Sequence, residues 1–220
     1  MIIGNGLLAQ AFTELDTLDL LIFASGVSDS QCTDKSEYKR EMDLLLNSIS
    51  QFPSNKLIYF STCDFYDSSK NSMYMEHKKE IENTIKDTSK RWIIFRLPQI
   101  IGKGNKKNLV QLLSKNIIND IKFDLYHDLE RNLIDIDDVR EIAKFYMNLE
   151  NISINIANPE NIKVKDIVNI IERITLKNAI TTNVEGSHTF NIPMRSDFPT
   201  SYFSDDYYYI KIKKFINDNI

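Results

Sequence analysis

The chain has 220 residues, 42% of them hydrophobic, and a formal net charge of −4 at pH 7. It is long enough for one large domain or a main domain with a small lobe, and no basic excess points to nucleic acid. No apolar run approaches the roughly 20 residues that span a bilayer, no secretion signal opens the chain, and its 2 cysteines and 3 histidines form no metal motif.

These exclusions predict a cytoplasmic globular protein that binds neither membrane nor metal. In chain order, apolar runs predict strands at 1–4, 19–24, 56–60, 92–95 and 152–156, with two short strands within 121–134 around a polar turn at 127–131. Helical spacing predicts helices from residue 7 and over 36–50, 74–88, 106–118, 137–149, 163–174 and 205–218.

Short strands that alternate with amphipathic helices indicate βαβ units. The sequence therefore predicts an α/β fold, a Rossmann-like and mainly parallel sheet with helices on both faces. We expect a core over residues 1–104 and, over 105–220, a small C-terminal substrate-binding lobe interleaved with the last core strands.

Four residues follow predicted strands directly: Gly4, Ser25, Thr62 and Pro98. Ligands bind beyond the carboxyl ends of strands in open parallel sheets. We therefore expect these residues to gather along one edge and to contribute to one site.

The first predicted turn reads IIGNGLLA and places Gly4, Gly6 and Ala9 in a G-x-G-x-x-A pattern. Glycines at such a turn let a pyrophosphate approach the backbone at a helix N-terminus. The alternative is a glycine-rich turn with no ligand. Only LDTL, residues 15–18, separates the first helix from the next strand, so the βα unit that would hold the adenosine ribose is missing from the predicted fold.

Tyr74 and Lys78 stand four residues apart on a predicted helix, downstream of Thr62. A tyrosine with a pKa of ~10 is a poor acid or base at neutral pH, and a nearby ammonium group would lower that pKa. Thr62 could hydrogen-bond the same substrate oxygen. The alternative is two exposed residues on one helix face, since residues i and i+4 are always neighbours. His77 is expected on the surface.

Further motifs extend this pattern along the chain. They are STCDFY (61–66), YMEHK (74–78) with Glu82 after it, RLPQIIG (96–102), RNLIDIDD (131–138), INIANPENIKVKDIV (154–168) and MRSDFPTSYFSD (194–205). In this order they resemble the extended short-chain dehydrogenases/reductases, in the NAD-dependent epimerase/dehydratase branch that acts on nucleotide sugars.

The resemblance implies Thr62, Tyr74 and Lys78 as catalytic residues. It implies a dinucleotide site, for NAD or NADP with NADPH favoured for a reductase, formed by Gly4, Asn5, Gly6, Leu7, Leu8, Ala24, Ser25, Gly26, Tyr74, Lys78 and Pro98. It implies contacts to a nucleotide-diphosphate sugar from Asp64, Asn108, Arg131, Arg195 and Asp197. The alternatives are that Arg131 pairs with Asp135 or Asp138, and that Asp138 caps a helix. Homodimers would form through the helices at 36–50 and 74–88.

The dehydratases of this family place acidic residues just after the catalytic threonine, where this chain has Cys63 and Asp64. Dehydration is therefore disfavoured. An epimerase must retain its cofactor, and the missing βα unit that would hold the adenosine ribose disfavours such retention. We therefore favour reduction of a 4-keto sugar nucleotide, in a pathway such as polysaccharide biosynthesis. A 4-epimerase remains the alternative. A cofactor-less sugar-nucleotide binder or partner subunit is the second alternative.

Overall fold

The computed structural model describes residues 1–67, 72–104 and 108–220. The chain divides into two compact units, which are described separately. The first comprises residues 1–97, 140–156 and 193–195, and the second comprises residues 98–139, 157–192 and 196–220.

The strands are β1 (Ile2–Ile3), β2 (Leu20–Phe23), β3 (Lys56–Thr62), β4 (Trp92–Leu97), β5 (Gln99–Ile101), β6 (Phe123–Arg131), β7 (Leu133–Asp135), β8 (Ile152–Asn155), β9 (Ile162–Lys163) and β10 (Thr181–His188). The α-helices are α1 (Leu7–Ala11), α2 (Lys35–Gln51), α3 (Met73–Thr88), α4 (Leu109–Ile118), α5 (Ile136–Tyr146), α6 (Val164–Thr175) and α7 (Tyr207–Asn219).

The first unit is built on a five-stranded sheet in the order β1-β2-β3-β4-β8, with every pair parallel. The predicted Rossmann-like α/β fold with a mainly parallel sheet is confirmed. In this sheet β1 is an edge strand, so the turn after it lies at one end of the row of carboxyl termini. Thr62 is the last residue of the central strand β3 and pairs with Leu97 of β4.

Both faces of this sheet are covered, since every residue of β3 is buried. On one face, strand residues such as Tyr59 pack with Leu45 of α2 and with Ile81 and Ile85 of α3 in a single apolar cluster. On the other face, the ring of Phe12 meets that of Phe60 edge-on at 4.8 Å. Parallel sheets are stable only when both faces are buried, which explains the continuous apolar runs of these strands.

The second unit contains the sheet β10-β6-β9 and the parallel pair β5-β7. Strand β6 pairs parallel with β10 and antiparallel with β9. Helices α4, α6 and α7 share one apolar core with β6, in which Val110, Ile167 and Phe215 are almost completely buried.

The predicted polar turn at 127–131 is wrong, because β6 runs without interruption from Phe123 to Arg131. Its polar residues Asp124 and Asp128 are exposed, while Leu125 between them is buried. This is the alternation of a strand with one solvated face. The charged residues belong to that face, and their number made the segment resemble a turn.

Among the helices of the described residues, none is long and apolar enough to cross a membrane. The same residues contain no group of three or more His, Cys, Asp or Glu side chains placed to hold a metal ion.

Candidate active site

The end of β3 positions the predicted threonine. The Thr62 side chain is buried, and its Oγ1 accepts a hydrogen bond of 3.0 Å from the backbone N–H of Asp64. This contact caps a short 3-10 turn over Cys63–Tyr66 and holds Asp64 beside the strand end.

Tyr74 lies in the first turn of α3, a helix that begins after Ser72, whose hydroxyl accepts a hydrogen bond from the N–H of Met75. The Tyr74 side chain is only 8% exposed. Burial raises the pKa of Tyr74 well above its ordinary range, the charge of Asp64 raises it further, and a hydrogen bond with Thr62 opposes both. Thr62 and Tyr74 are therefore brought together as expected, but the phenol is neutral and its pKa is not lowered.

Lys78 follows one turn later and is 2% exposed. Its Nζ donates to Glu41 Oε1 at 2.9 Å and to the Tyr59 hydroxyl at 2.8 Å, and it lies 5.6 Å from the centre of the Tyr74 ring. Burial lowers the pKa of Lys78, and the Glu41 carboxylate opposes that shift. The ammonium is thus compensated by a carboxylate that the sequence analysis did not assign to the site.

Glu41 is the centre of this buried group, with none of its surface exposed. Its Oε1 accepts from Tyr59 at 2.6 Å, and its Oε2 accepts from the Val27 backbone N–H at 2.7 Å and lies 3.0 Å from His77 Nε2. Burial alone would raise the pKa of Glu41, but the contacts with His77, Lys78 and Tyr59 outweigh it and lower the pKa to about 2. Glu41 is therefore ionised at neutral pH.

The expected surface position of His77 is wrong. His77 is 6% exposed, its ring stacks on that of Tyr38 at 4.6 Å, and it faces Glu41. The residue belongs to the face of α3 that packs against α2, because the buried stripe of α3 is broad enough to include three polar side chains, His77, Lys78 and Glu82.

Gly26 lies directly over the ion pair. A Cβ at this position would stand 2.7 Å from Glu41 Oε1 and 2.8 Å from Lys78 Nζ. Since real Cβ atoms essentially never approach other atoms so closely, a side chain at this position would displace the ends of Glu41 and Lys78 from their pairing. The turn after β2 therefore covers Lys78.

The two glycines of the first turn have different local environments. Gly4 has φ of +125°, and a Cβ there would stand 2.7 Å from the carbonyl carbon of Ala24, so the strand ends of β1 and β2 require glycine. Gly6 has φ of −77°, and apart from Gly6 itself and its two chain neighbours no atom of the described chain lies within 4 Å of the place of its missing Cβ. The space that a methyl group would fill beside Gly6 is therefore available to a ligand.

The other residues expected to contact a dinucleotide lie mainly in the turns after β1 and β2. The Asn5 carbonyl accepts from the Gln10 side chain, and Leu7 and Leu8 begin α1. Ala24 and Ser25 follow β2 directly. The N–H of Ala24 donates to Ile3 of the neighbouring strand, and the Ser25 carbonyl accepts from Arg40. The structure thus places the turns after β1 and β2 side by side. Pro98 opens the second unit.

The residues expected to contact a nucleotide sugar divide between the units. Asn108, Arg131 and Asp197 belong to the second unit, and Arg195 belongs to the first, where its guanidinium lies 5.8 Å from the centre of the Tyr146 ring. Asn108 caps α4, because its Oδ1 accepts from the N–H of Gln111 at 2.9 Å. Arg131 donates to the Glu130 carbonyl at 2.8 Å.

The acidic residues of the RNLIDIDD motif contact side chains of α7. Asp138 accepts from the Tyr207 hydroxyl at 2.7 Å and from Lys211 at 2.9 Å, and Lys214 contacts Asp135 at 3.3 Å. The alternative expectation that Asp138 caps a helix is wrong, because the N–H of Asp137 donates to Asp135 at 3.0 Å, which makes Asp135 the capping residue.

A second ion pair, between the half-buried Arg96 and the buried Glu82, lies beside the site in the first unit. Arg96 donates from Nε and Nη2 to both carboxylate oxygens of Glu82, at 2.9 and 2.6 Å, and from Nη1 to the Tyr66 hydroxyl at 3.0 Å. Tyr66 also exchanges hydrogen bonds with Asn155 of β8. This network fixes the 3-10 turn that follows Thr62 against β4 and β8.

Sequence reasoning missed Glu41 and Tyr59. A signal for Glu41 was present, because it lies three residues after Tyr38 and four before Leu45, both on the buried stripe of α2. Tyr59 points to the α2 and α3 face of β3, where its hydroxyl finds partners that the strand sequence alone does not indicate.

No family model and no curated protein sequence matches this chain. Solved structures, by contrast, resemble it over most of its length. RMD from Pseudomonas aeruginosa complexed with NADPH has a TM-score of 0.72 and 12% identity, over 91% of this chain and 80% of that one. The dTDP-glucose 4,6-dehydratase of Bacillus anthracis in complex with NAD has a TM-score of 0.72 and 16% identity, over 96% of this chain and 75% of that one.

The UDP-glucose 4-epimerase of Thermotoga maritima with UDP-glucose has a TM-score of 0.70 and 12% identity, over 96% of this chain and 80% of that one. At such low identity these likenesses show the fold. They agree with the parallel sheet and helices described above.

Proposed function

We propose that this chain is an NAD(P)-dependent oxidoreductase of the extended short-chain dehydrogenase/reductase type, which reduces a 4-keto sugar nucleotide. The observation that carries this proposal is the buried Thr62–Tyr74 pair at the carboxyl end of the central strand β3. The solved structures with the same fold add support, since they include proteins complexed with NADPH, with NAD and with UDP-glucose.

The roles of the two residues follow from their protonation. When a ketone becomes an alcohol, its oxygen needs a proton, and only a neutral phenol can give one. Tyr74 is neutral at pH 7, since an ordinary tyrosine pKa is ~10 and burial raises it, so its phenol holds a proton to donate. Thr62 would hold the same substrate oxygen by a hydrogen bond.

The turns after β1 and β2 are the candidate dinucleotide site. Asn5 and Gly6 would face the pyrophosphate, where the open space beside Gly6 leaves room for it, and Ala24 and Ser25 would line the same edge. The cofactor, when bound, supplies the hydride. Since β1 is an edge strand, we propose that the adenosine half is held by fewer contacts than in a full-length fold and that NADPH binds weakly.

The substrate's diphosphate would be bound by Arg131, because a guanidinium matches phosphate geometry with two parallel hydrogen bonds. Asn108, Asp64, Arg195 and Asp197 complete the proposed set of substrate contacts. A 4-epimerase would use the same residues, but it must begin by removing a proton from the sugar hydroxyl. An epimerase must also retain its cofactor through two hydride transfers, and the weak dinucleotide binding proposed for an edge strand β1 favours reduction instead.

A cofactor-less sugar-nucleotide binder is the second candidate. It is favoured by the burial of Lys78, whose ammonium lies under Gly26 and is paired with Glu41. A lysine in that position would have to leave its carboxylate partner before it could contact a nicotinamide ribose.

Binding experiments separate these candidates. The protein is titrated with NADH and NADPH by fluorescence, and with a panel of UDP-, dTDP-, GDP- and CDP-sugars by calorimetry. The oxidoreductase proposal expects a dinucleotide and a nucleotide sugar to bind the same protein. Binding of a nucleotide sugar without either dinucleotide would overturn it and support the binder.

Turnover tests the role of Tyr74. Tyr74→Phe should abolish reduction of the accepted keto sugar while leaving the affinity for both ligands nearly unchanged, because only the proton donor is lost. Tyr126→Phe, which changes a tyrosine 39% exposed on β6, is the matched control and should retain activity. Wild-type turnover by Tyr74→Phe would refute the assignment.

A further inference from the structure

Glu41 is a fully buried carboxylate that no part of the proposed mechanism uses. It comes from the middle of α2, and it contacts the turn after β2 through Val27, β3 through Tyr59, and α3 through both His77 and Lys78. Four elements of the first unit therefore meet on one side chain.

Such a carboxylate is costly to bury, because desolvation of an ion is repaid only when its partners satisfy it completely. Both oxygens of Glu41 have close partners, at 2.6 to 3.0 Å. The arrangement also favours glycine at position 26, because a Cβ there would displace the pair. A neutral residue would fill this core position at lower cost, so the charge itself calls for an explanation.

We propose that Glu41 is a positioning residue of the catalytic site, which compensates the Lys78 charge and ties the turn after β2 to the catalytic helix. Glu41 and Tyr59 thereby hold Lys78 in its charged form, as the cation beside the Tyr74 ring. The inference rests on the proposed function, because Tyr74 is the proposed proton donor beside Lys78.

The charges around Tyr74 show why this pairing matters. Asp64 faces it from the turn after β3, Glu41 and Tyr38 face it from α2, and Thr62 hydrogen-bonds it from the strand end. Lys78, from its own helix, is the cation over its ring. Around Lys78 stand Glu41 and Arg40 of α2, Tyr59 of β3 and Glu82 of α3. Removing the Glu41 charge would leave the buried Lys78 without its closest carboxylate partner, which lowers the pKa of Lys78 further and favours the neutral amine.

The titration of Lys78 measures this effect directly. The protein is prepared with 13Cε-labelled lysine, the Lys78 resonance is assigned with Lys78→Met, and its chemical shift is followed against pH. In Glu41→Gln, the Lys78 resonance should titrate at a pH lower by about 1–2 pH units than in the wild type, as expected for the loss of one carboxylate at this range in a protein interior. In Glu37→Gln, which removes an exposed carboxylate one turn earlier on α2, Lys78 should titrate as in the wild type.

A purely structural role for Glu41 predicts no change in the pKa of Lys78, so equal Lys78 titration in the wild type and in Glu41→Gln would overturn the proposal. If Glu41→Gln fails to fold, Glu41→Asp replaces it, since the shorter side chain keeps the charge but draws it away from Lys78. A smaller downward shift is then expected, and no shift overturns the proposal. These titrations need no cofactor and no substrate. A failed inference therefore appears here, whereas a failed oxidoreductase proposal appears as missing dinucleotide binding while the expected Lys78 titrations are still observed.

Discussion

The two glycines of the first turn offer the sharpest test of the cofactor site, because only one of them is required by the fold. In Gly6→Ala, the added methyl group meets no atom of the described chain, and φ of −77° is open to alanine. Alanine is a weaker N-cap than glycine by some tenths of a kcal/mol, but it also restricts the unfolded chain by about 0.4–1 kcal/mol. The free energy of unfolding should therefore change by no more than about 0.5 kcal/mol.

Ligand binding should respond differently. A pyrophosphate seated on this turn would meet the new methyl group, and forcing extra atoms into a packed contact costs about 1–3 kcal/mol. That cost corresponds to a dissociation constant for NADPH raised by about 5- to 150-fold. Fluorescence titration measures the affinity, and urea unfolding of the same preparation measures stability.

Gly4→Ala is the contrasting variant. Its φ of +125° and the nearby carbonyl of Ala24 make any side chain at this position strained. We expect a loss of at least about 1–3 kcal/mol in unfolding free energy, the usual cost of a residue held in such a backbone conformation. If Gly6→Ala is as stable as the wild type and binds NADPH equally well, the first turn is not the pyrophosphate site.

Three further predictions concern the two polar networks of the first unit, the Glu41–Lys78 pair and the contacts of Tyr66 with Arg96 and Asn155. Gly26→Ala should lower the unfolding free energy in urea by about 1–3 kcal/mol, because its Cβ overlaps the Glu41–Lys78 pair, and wild-type stability would contradict that overlap. The folded-state pKa of Glu41, about 2, lies below its ordinary 4.5, so up to about 3 kcal/mol of stability is present above pH 4.5 and is lost as the pH falls toward 2. Over this range, urea unfolding of Glu41→Gln should depend less on pH than unfolding of the wild type, and parallel profiles would argue against an ionised Glu41. Tyr66→Phe should lower the free energy of unfolding by about 1–3 kcal/mol, because Arg96 and Asn155 both lose a half-buried hydrogen-bond partner, and a change below about 0.5 kcal/mol would show that the hydroxyl is dispensable.

The elements of the first unit could be predicted because apolar periodicity dominates there. The helix expected over 36–50 is observed as Lys35–Gln51, and that over 74–88 as Met73–Thr88. The same method failed for β6. Only one face of that strand is buried, and its pairing with β9 and β10 depends on residues more than thirty positions away. Long-range pairing of this kind leaves no local pattern in the sequence.

The site could be predicted only in part, for a related reason. Topology brings the ends of parallel strands to one edge, so the proximity of Thr62 and Tyr74 follows from chain order alone. The partners of buried charged residues cannot be inferred from chain order in this way. A charged or titratable residue on a helix is usually predicted to lie on the solvent-exposed face. Glu41 and His77 are both buried instead, because they contact each other within the interface of α2 and α3.

The i,i+4 spacing of Tyr74 and Lys78 thus has a different meaning in the folded chain from the one that the motif suggests. Side chains at this spacing share a helix face, but the face is buried, and a buried lysine is directed by the nearest carboxylate. The Lys78 ammonium points to Glu41, because its Nζ donates a hydrogen bond to Glu41 Oε1 at 2.9 Å. The acidity of Tyr74 is therefore determined by residues of three elements, α2, the end of β3 and α3 itself, and a proton donor in this chain requires all three.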